Sequence, residues 1–500
     1  MMRDHLMIFV NGNPLRVAGD ECFMTLSDFL RRQRGLTGTK VVCAEGDCGA
    51  CAVLIGRLDP SGRKLHYTAV NSCIQLMFQL DAAHVVTVEG LTSDGGLNPI
   101  QRAMIECHGT QCGFCTPGFV VSLCDLMLDK PNVSVHQIQR ALTGNLCRCT
   151  GYDSIIQAAM EVDCSSLAFD ALHPPYSPAP ILELLTAAAG EEVRVTAGEN
   201  SFYKPVTVEQ AVRFRAEDPG CQIVSGATDL GVQRNKGIGK LTDVLCLSGL
   251  SSLSEVSCDA ETLHVGAAAS LTDLESAAAK HLPELAEFLE WFGSPLIRNS
   301  GTLAGNLVNG SPIGDCICAL FVLDTEIELT SPRGVRQVSL QKFYTGYRRT
   351  VLGADEIVTA IHIGLPRPGE VYKLYKISKR KDLDISSFAA AIWMQRGAGT
   401  IADVRIAYGG VAPTVVRMSA AESILRGAIP SRSAFEQAGA AARDAVQPIT
   451  DVRGSAEYRR RLAHNILLKF WNDLGEPDSP PEPIQPAFRE PALRRSPEQS

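Results

Sequence analysis

Apolar and polar positions alternate through the first eighty residues. The run His5 to Val10 and its continuation beyond Asn11-Gly12-Asn13 predict strand, turn and strand, and a second turn falls at Ser61-Gly62. From residue 98 the period lengthens. Asn98 and Pro99 predict a helix start, with Ile100, Ala103, Met104 and Cys107 on one face. Thr116-Pro117 opens a second helix through Leu128. Ser134 opens a third carrying Ile138 and Leu142, and Asp153 a fourth carrying Ile155, Ile156 and Ala159. The pattern thus divides into a small β-rich unit, residues 1–83, and a four-helix unit, residues 84–163. Residues 172–180 hold four prolines in nine, which predicts a semi-rigid linker within 164–195. Mixed β-like and helical segments with Gly-rich turns fill 196–380, and a further α+β stretch runs over 381–475. The tail 476–500 holds seven prolines in 25 residues and is expected to be disordered. The fold class expected is multidomain α+β.

Composition narrows the function. Apolar residues make up 45% and charged residues 20%, as in a soluble globular protein. A net charge of −8 argues against a nucleic-acid partner, and no run of 18 apolar residues predicts a membrane span. The N-terminus has no apolar stretch ending in a cleavage site, so a cytoplasmic location is expected. Seventeen cysteines then need a reason, because disulfides are poorly supported in a reducing compartment. Eight of them fall in tight spacings; others, such as Cys22, Cys124 and Cys221, read as small buried hydrophobes.

The first tight group is Cys43-x4-Cys48-x2-Cys51, with Cys73 further on. This is the plant-type 2Fe–2S spacing, in which one curled loop delivers three thiolates and a separate segment the fourth. Gly46 and Gly49 allow the curl and can aim N–H groups at sulfur. Zinc ribbons more often pair two C-x2-C units, so the x4 gap favours a cluster over zinc. The second group is Cys112-x2-Cys115 with Cys147-x-Cys149, each pair lying just before a predicted helix start, where the positive end of the dipole suits an anionic cluster. Taken alone, this second spacing leaves zinc open. Two further loops are rich in small residues: Ile223-Val224-Ser225-Gly226-Ala227-Thr228-Asp229-Leu230, and Gly301 through Asn306 to Asp315. Neither is a G-x-G-x-x-G fingerprint, and by spacing both are ordinary glycine turns.

The segments CAEGDCGACAV, QCGFCTPGFV and GNLCRCTGY, in this order, resemble the iron–sulfur portion of the molybdenum hydroxylases, the xanthine dehydrogenase and aldehyde oxidase family. The resemblance runs over residues 5 to 475. It implies a β-grasp plant-type ferredoxin domain and a four-helix domain, each with one 2Fe–2S cluster. An FAD-binding domain of the vanillyl-alcohol-oxidase (PCMH) type and a C-terminal flavoprotein subdomain would follow. Cys43, Cys48, Cys51 and Cys73 would ligate the first cluster, and Cys112, Cys115, Cys147 and Cys149 the second. Residues 223–230 and Thr302, Leu303, Ala304, Gly305 and Asn306 match the segments that hold the FAD diphosphate and ribityl chain. Asp315 is expected at the adenosine end and Phe292 beside the isoalloxazine ring. Asn309, Val358 and Lys376 fall on flavin-contact positions. Ser378 to Ser386 match a loop governing NAD access, with Leu383 standing where animal members are acidic.

Since the sequence carries no counterpart of the molybdopterin domain, the resemblance implies an electron-transfer subunit of a bacterial xanthine dehydrogenase. Its partner would be a large molybdopterin-binding subunit, in a heterotetramer of two small and two large chains. Electrons would pass from the molybdenum centre through the helical-domain cluster and the plant-type cluster to FAD and on to NAD, with no catalytic acid or base in this chain. The alternatives are the equivalent subunit of an aldehyde, nicotinate or carbon monoxide dehydrogenase, a structural zinc-binding interaction module, and a stand-alone flavodehydrogenase.

Overall fold

A computed structural model of the chain describes residues 2–59, 61–92, 96–128, 130, 132–162 and 176–475. The tail expected to be disordered, residue 163 of the four-helix unit and residues 164–175 of the expected linker lie outside these. Among the described residues no helix is long and apolar enough to cross a membrane.

The first unit is a five-stranded sheet in the order β2-β1-β5-β3-β4, built from β1 (His5–Val10), β2 (Asn13–Ala18), β3 (Ala52–Leu58), β4 (Leu65–Asn71) and β5 (Ala83–Val86). The β1–β2 turn places Asn11 at φ 48° and Gly12 at φ 77°, as a two-residue hairpin with the sheet's twist requires. Alternate residues Leu6, Ile8 and Val10 enter the core, together with Val53, Ile55 and Phe78. The run between β2 and β3 holds a short helical turn over Leu26–Asp28 and then the first cysteine loop.

Four helices follow: α1 (Pro99–Glu106), α2 (Thr116–Leu128), α3 (Val135–Ala141) and α4 (Asp153–Met160). Their starts fall where the sequence places them. The Asn98 side chain accepts from Ile100 N–H, and Ser134 accepts from Gln137 N–H. Ile100, Met104, Phe119, Ile138 and Ile155 share one core.

The expected linker is corrected in part. Pro178–Ala189 forms a helix, α5, because Ser177-Pro178 sets a start and Ile181, Leu185 and Ala188 lie on one face. Ile181 and Leu185 pack on Phe9 of the first sheet, so this segment is glue between units and not a free spacer.

The flavin part begins with β6 (Val193–Ala197), already inside that stretch, and contains two larger sheets besides a short two-stranded one, Tyr344–Gly346 with Arg349–Thr350. In the first, β6, β7 (Asn200–Lys204), β9 (Asp243–Cys246) and β8 (Gln222–Val224) lie side by side in that order; α6 (Val208–Glu217) leads into β8, and α7 (Thr228–Asn235) follows it. The second sheet has five strands within Val256–Gly364, among them the long strand Ile357–Gly364. The C-terminal sheet opens at Glu370, ten residues before the expected boundary. Glu370–Ile377 pairs along its whole length with Phe388–Arg396, so residues 378–387 are the loop of one hairpin and not a domain junction. Three helices, ending with Ala456–Asp473, cover this sheet.

Polar contacts fasten the first unit to the flavin part. Asp81, buried, accepts from Arg3 at 2.8 Å and from Lys204 of β7 at 2.7 Å. Arg3 also donates to Ala188 O of α5 at 2.7 Å.

Candidate cofactor sites

The first cysteine loop curls through three left-handed residues, Ala44 (φ 55°), Gly46 (φ 75°) and Gly49 (φ 67°). A Cβ on Gly46 would lie 2.6 Å from the Ile74 side chain, and one on Gly49 would lie 2.4 Å from Gly144 O, so both glycines also permit close approach of neighbouring segments. The curl brings the predicted thiols together: the Cys43 side chain meets those of Cys48 and Cys73, and Cys51 meets Cys73. Hydrogen bonds from the Cys48 and Cys73 thiols hold Cys43 far below the ordinary thiol range. The N–H groups of Glu45 and Asp47 add to this, each 3.4 Å from its sulfur. At Cys43 the donors aimed at sulfur are thus Glu45 and Asp47; Gly46 and Gly49 supply the bend.

The second set of thiols forms pairs. Cys112 and Cys149 lie 3.7 Å apart at the surface, and Cys115 meets Cys147. Burial, then the Cys147 contact, pushes Cys115 up to about 12. Cys147 is held low despite its own burial, because the Thr150 hydroxyl donates to its sulfur at 3.2 Å. Helix α2 begins one residue after Cys115, and α4 begins four residues after Cys149. Linked thiol pairs suit a rhombic cluster, which takes two thiolates per iron. The two sets are joined through the backbone: Leu146 N–H, next to Cys147, donates to Cys48 O at 3.0 Å.

The flavin-segment residues surround a cavity of about 300 Å³. Ile223, Ser225, Gly226, Ala227, Thr228, Asp229 and Leu230 line one side, Thr302, Ala304, Gly305, Asn306 and Asn309 another, with Phe292 and Val358 between. Ala227, left-handed at φ 58°, turns the chain out of β8 into α7. A Cβ on Gly226 would come 2.0 Å from Ser300 O, so glycine is what lets the two loops meet. Asn306 Oδ1 is buried with no partner among the described residues, which fits an acceptor reserved for a ligand donor.

Val224 and Leu303 do not face this cavity; both are buried in the cores of their units. Asp315 and Lys376 do not line it either. They form a buried ion pair, Nζ to Oδ2 at 2.7 Å, in which Ser386 Oγ donates to Asp315 at 2.5 Å and Lys376 also donates to Trp291 O at 3.0 Å. Lys376 borders a second cavity of about 220 Å³, lined by Trp291 and residues 376–381, with the Lys381 ammonium over the Trp291 ring. Arg140 of α3 donates to Asp382 at 2.5 Å, tying the loop between the paired strands to the helical unit. Sequence reasoning did not find Gln233, Ala267, Leu271 or Leu352, which also line the larger cavity. Gln233 is one helical turn from Asp229 and could have been inferred; the others arrive from distant segments.

Models of four families match the chain in succession. A 2Fe–2S iron–sulfur cluster binding domain matches residues 8–76, and a [2Fe-2S] binding domain matches 87–160. The FAD binding domain in molybdopterin dehydrogenase matches 166–367, and the CO dehydrogenase flavoprotein C-terminal domain matches 373–474. The chain belongs to the molybdenum hydroxylase family. It is similar to a xanthine dehydrogenase/oxidase of Gallus gallus, 29% identical over 97% of this chain and 42% of the relative. A xanthine dehydrogenase of Emericella nidulans is 30% identical over 94% of this chain and 39% of the relative. The chain thus spans about two fifths of these curated relatives. Among solved structures it resembles a carbon monoxide dehydrogenase of Hydrogenophaga pseudoflava lacking the Mo-pyranopterin moiety (TM-score 0.51, 25% identity, 54% of this chain and 94% of that one). It also resembles a quinoline 2-oxidoreductase of Pseudomonas putida 86 (TM-score 0.51, 25% identity, the same coverage). The family membership supports 2Fe–2S chemistry at the thiols over a structural zinc module.

Proposed function

We propose that this chain is the electron-transfer subunit of a xanthine dehydrogenase. It relays electrons removed from a purine at a molybdenum centre, held by a separate large subunit, and delivers them to NAD. The observation that carries this reading is a continuous line of contacts. It runs from the surface thiols Cys112 and Cys149 to Cys115 and Cys147, across the Leu146 N–H to Cys48 O bond, to Cys73 and Ile74, and on to helix α7 beside the larger cavity. When bound, two 2Fe–2S clusters and FAD supply one-electron and two-electron chemistry along that line. The chain's own residues fix spacing and electrostatics. Cys43, Cys48, Cys51 and Cys73 would hold the inner cluster, and Cys112, Cys115, Cys147 and Cys149 the outer one. The loops 223–230 and 302–309 would hold FAD, with Phe292 and Val358 against it.

The exposed side chains Phe114 and Leu146, adjacent in sequence to the outer thiols, give that end an apolar face suited to the large subunit. At the other end the cavity at Trp291, with Lys379, Arg380 and Lys381 on its rim, offers an aromatic face and cations to a dinucleotide. A cytoplasmic heterotetramer of two small and two large chains follows from this reading. The xanthine assignment draws on the xanthine dehydrogenases among the relatives. That flavin-bearing modules occur as separate chains is supported by the carbon monoxide dehydrogenase match, which takes in 94% of its chain. The test is to copurify the chain with its large partner and assay purine oxidation coupled to NAD reduction. Turnover of xanthine with NAD is expected. Turnover of carbon monoxide or an aldehyde but not xanthine would replace the substrate, and turnover by this chain alone would overturn the subunit reading.

A further inference from the structure

The relay needs a fixed distance between the plant-type thiols and the flavin cavity, yet the two belong to different units. The loop Cys43–Cys51 and the segment bearing Cys73 come from the ferredoxin-like unit; the cavity wall is helix α7 of the flavin part. Three contacts join them. Gly231 of α7 is buried so closely on the first unit that a Cβ would lie 2.4 Å from Ile74 O, one residue beyond Cys73. Val232 and Ile297 pack on Cys51, Cys73 and Ile74. The third contact is polar. Asn235, the last residue of α7, donates from Nδ2 to Cys73 O at 2.8 Å and to Ala44 O at 3.0 Å.

We infer that Asn235 is the positioning residue of the inner electron-transfer step: one amide pins both thiol-bearing segments to the helix whose other end forms the flavin cradle. The inference rests on the relay proposed above. The amide has two N–H donors, and both are spent on carbonyls of the ligand segments. Those carbonyls belong to Ala44, the left-handed residue after Cys43, and to Cys73 itself. The two segments are separated by nearly thirty residues of chain, so a single group bonding both fixes their spacing as well as their distance from α7. At the opposite end of this helix, Ala227, Thr228 and Asp229 line the flavin cavity. An eight-residue helix is a rigid strut, and a polar pin at one end sets where the other end stands relative to the thiols. The neighbouring Lys236–Glu45 pair, 2.8 Å apart and half-exposed at both ends, is a weak fastening by comparison. Its amide bonds go to backbone carbonyls and not to sulfur, and Asn235 is not among the residues lining the flavin cavity, so its effect passes through position.

The test uses the full chain loaded with its clusters and FAD. The variants are Asn235→Ala, which removes both donors, and Asn235→Asp, which keeps the shape but sets carboxylate oxygens against two carbonyls. Asn235→Ser, which retains one donor, serves if the others are insoluble, and Lys236→Ala is the control. Three readouts are taken: iron per chain, the electron paramagnetic resonance signal of each cluster, and electron exchange between inner cluster and flavin after a one-electron pulse. The expected result is an altered signal confined to the inner cluster, or selective loss of its two irons, with exchange slowed on the order of tenfold. Flavin reduction by NADH and the outer-cluster signal stay unchanged, and Lys236→Ala behaves as wild type. A fully loaded Asn235 variant with unaltered signal and exchange overturns the assignment. Absence of exchange in the wild-type chain would instead sink the relay, so the two failures are distinguishable.

Discussion

Eight thiols and one buried histidine make the sharpest residue-level statements. Cys112→Ser removes a proposed ligand of the outer pair and is expected to abolish purine-to-NAD turnover. NADH-driven dye reduction, which needs only the flavin end, should persist; normal purine turnover in this variant would take the outer site off the path. His84 lies fully buried on β5, where its Nε2 accepts from Gly12 N–H at 3.1 Å and its Nδ1 bonds the Tyr67 hydroxyl at 2.7 Å. Burial pulls its pKa down to about 4. The folded state therefore prefers neutral imidazole, whereas the unfolded imidazole titrates near its ordinary value of about 6.5. Stability from this site is complete above that value and is lost as pH falls from about 6.5 to about 4, by up to about 3 kcal/mol. Melting midpoints of wild type and His84→Gln at pH 7.5 and pH 5 should converge at the lower pH. A constant gap would refute the assignment. The meeting of the thiols was legible in the sequence because cysteines crowded on short loops leave a spacing. Asn235 was not, since a bond between segments far apart in the chain leaves none.

Elements were legible where local chemistry decides them. The β1–β2 hairpin follows from Asn11-Gly12, and α1 and α3 start at the caps Asn98 and Ser134. Helix α5 was misread because proline density suggested a spacer, while its apolar face found a partner in Phe9. Asp315 and Lys376 were expected at the flavin through the family resemblance; in the structure they pair with each other and do not line the larger cavity. Helix α7 carries a prediction at this scale. Gly231→Ala improves local helix propensity by about 1 kcal/mol yet forces a methyl group against Ile74 O. Overpacking of about 1–3 kcal/mol is expected to win, so the variant should melt lower and separate the two units first. A higher melting midpoint would mean that α7 and the Cys73 segment are not in tight contact.

At the scale of the molecule, an electron relay works only if separately built units stay in register. Asp81 is a principal fastener, buried and bonded both to the buried Lys204 and to the half-buried Arg3. Asp81→Ala leaves Lys204 buried without its carboxylate, while Arg3 keeps Glu191, and is expected to cost about 3 kcal/mol, read as a lower denaturant midpoint. A loss below about 1 kcal/mol would show that Asp81 is not a principal fastener. The direct test of the relay itself is anaerobic titration of the cluster- and flavin-loaded chain with NADH, followed by optical bleaching and electron paramagnetic resonance. Flavin reduction is expected to be followed by two distinct reduced-cluster signals, one from each cysteine set. Flavin bleaching with both clusters left oxidised, or a chain that binds only zinc at its thiols, would contradict the relay.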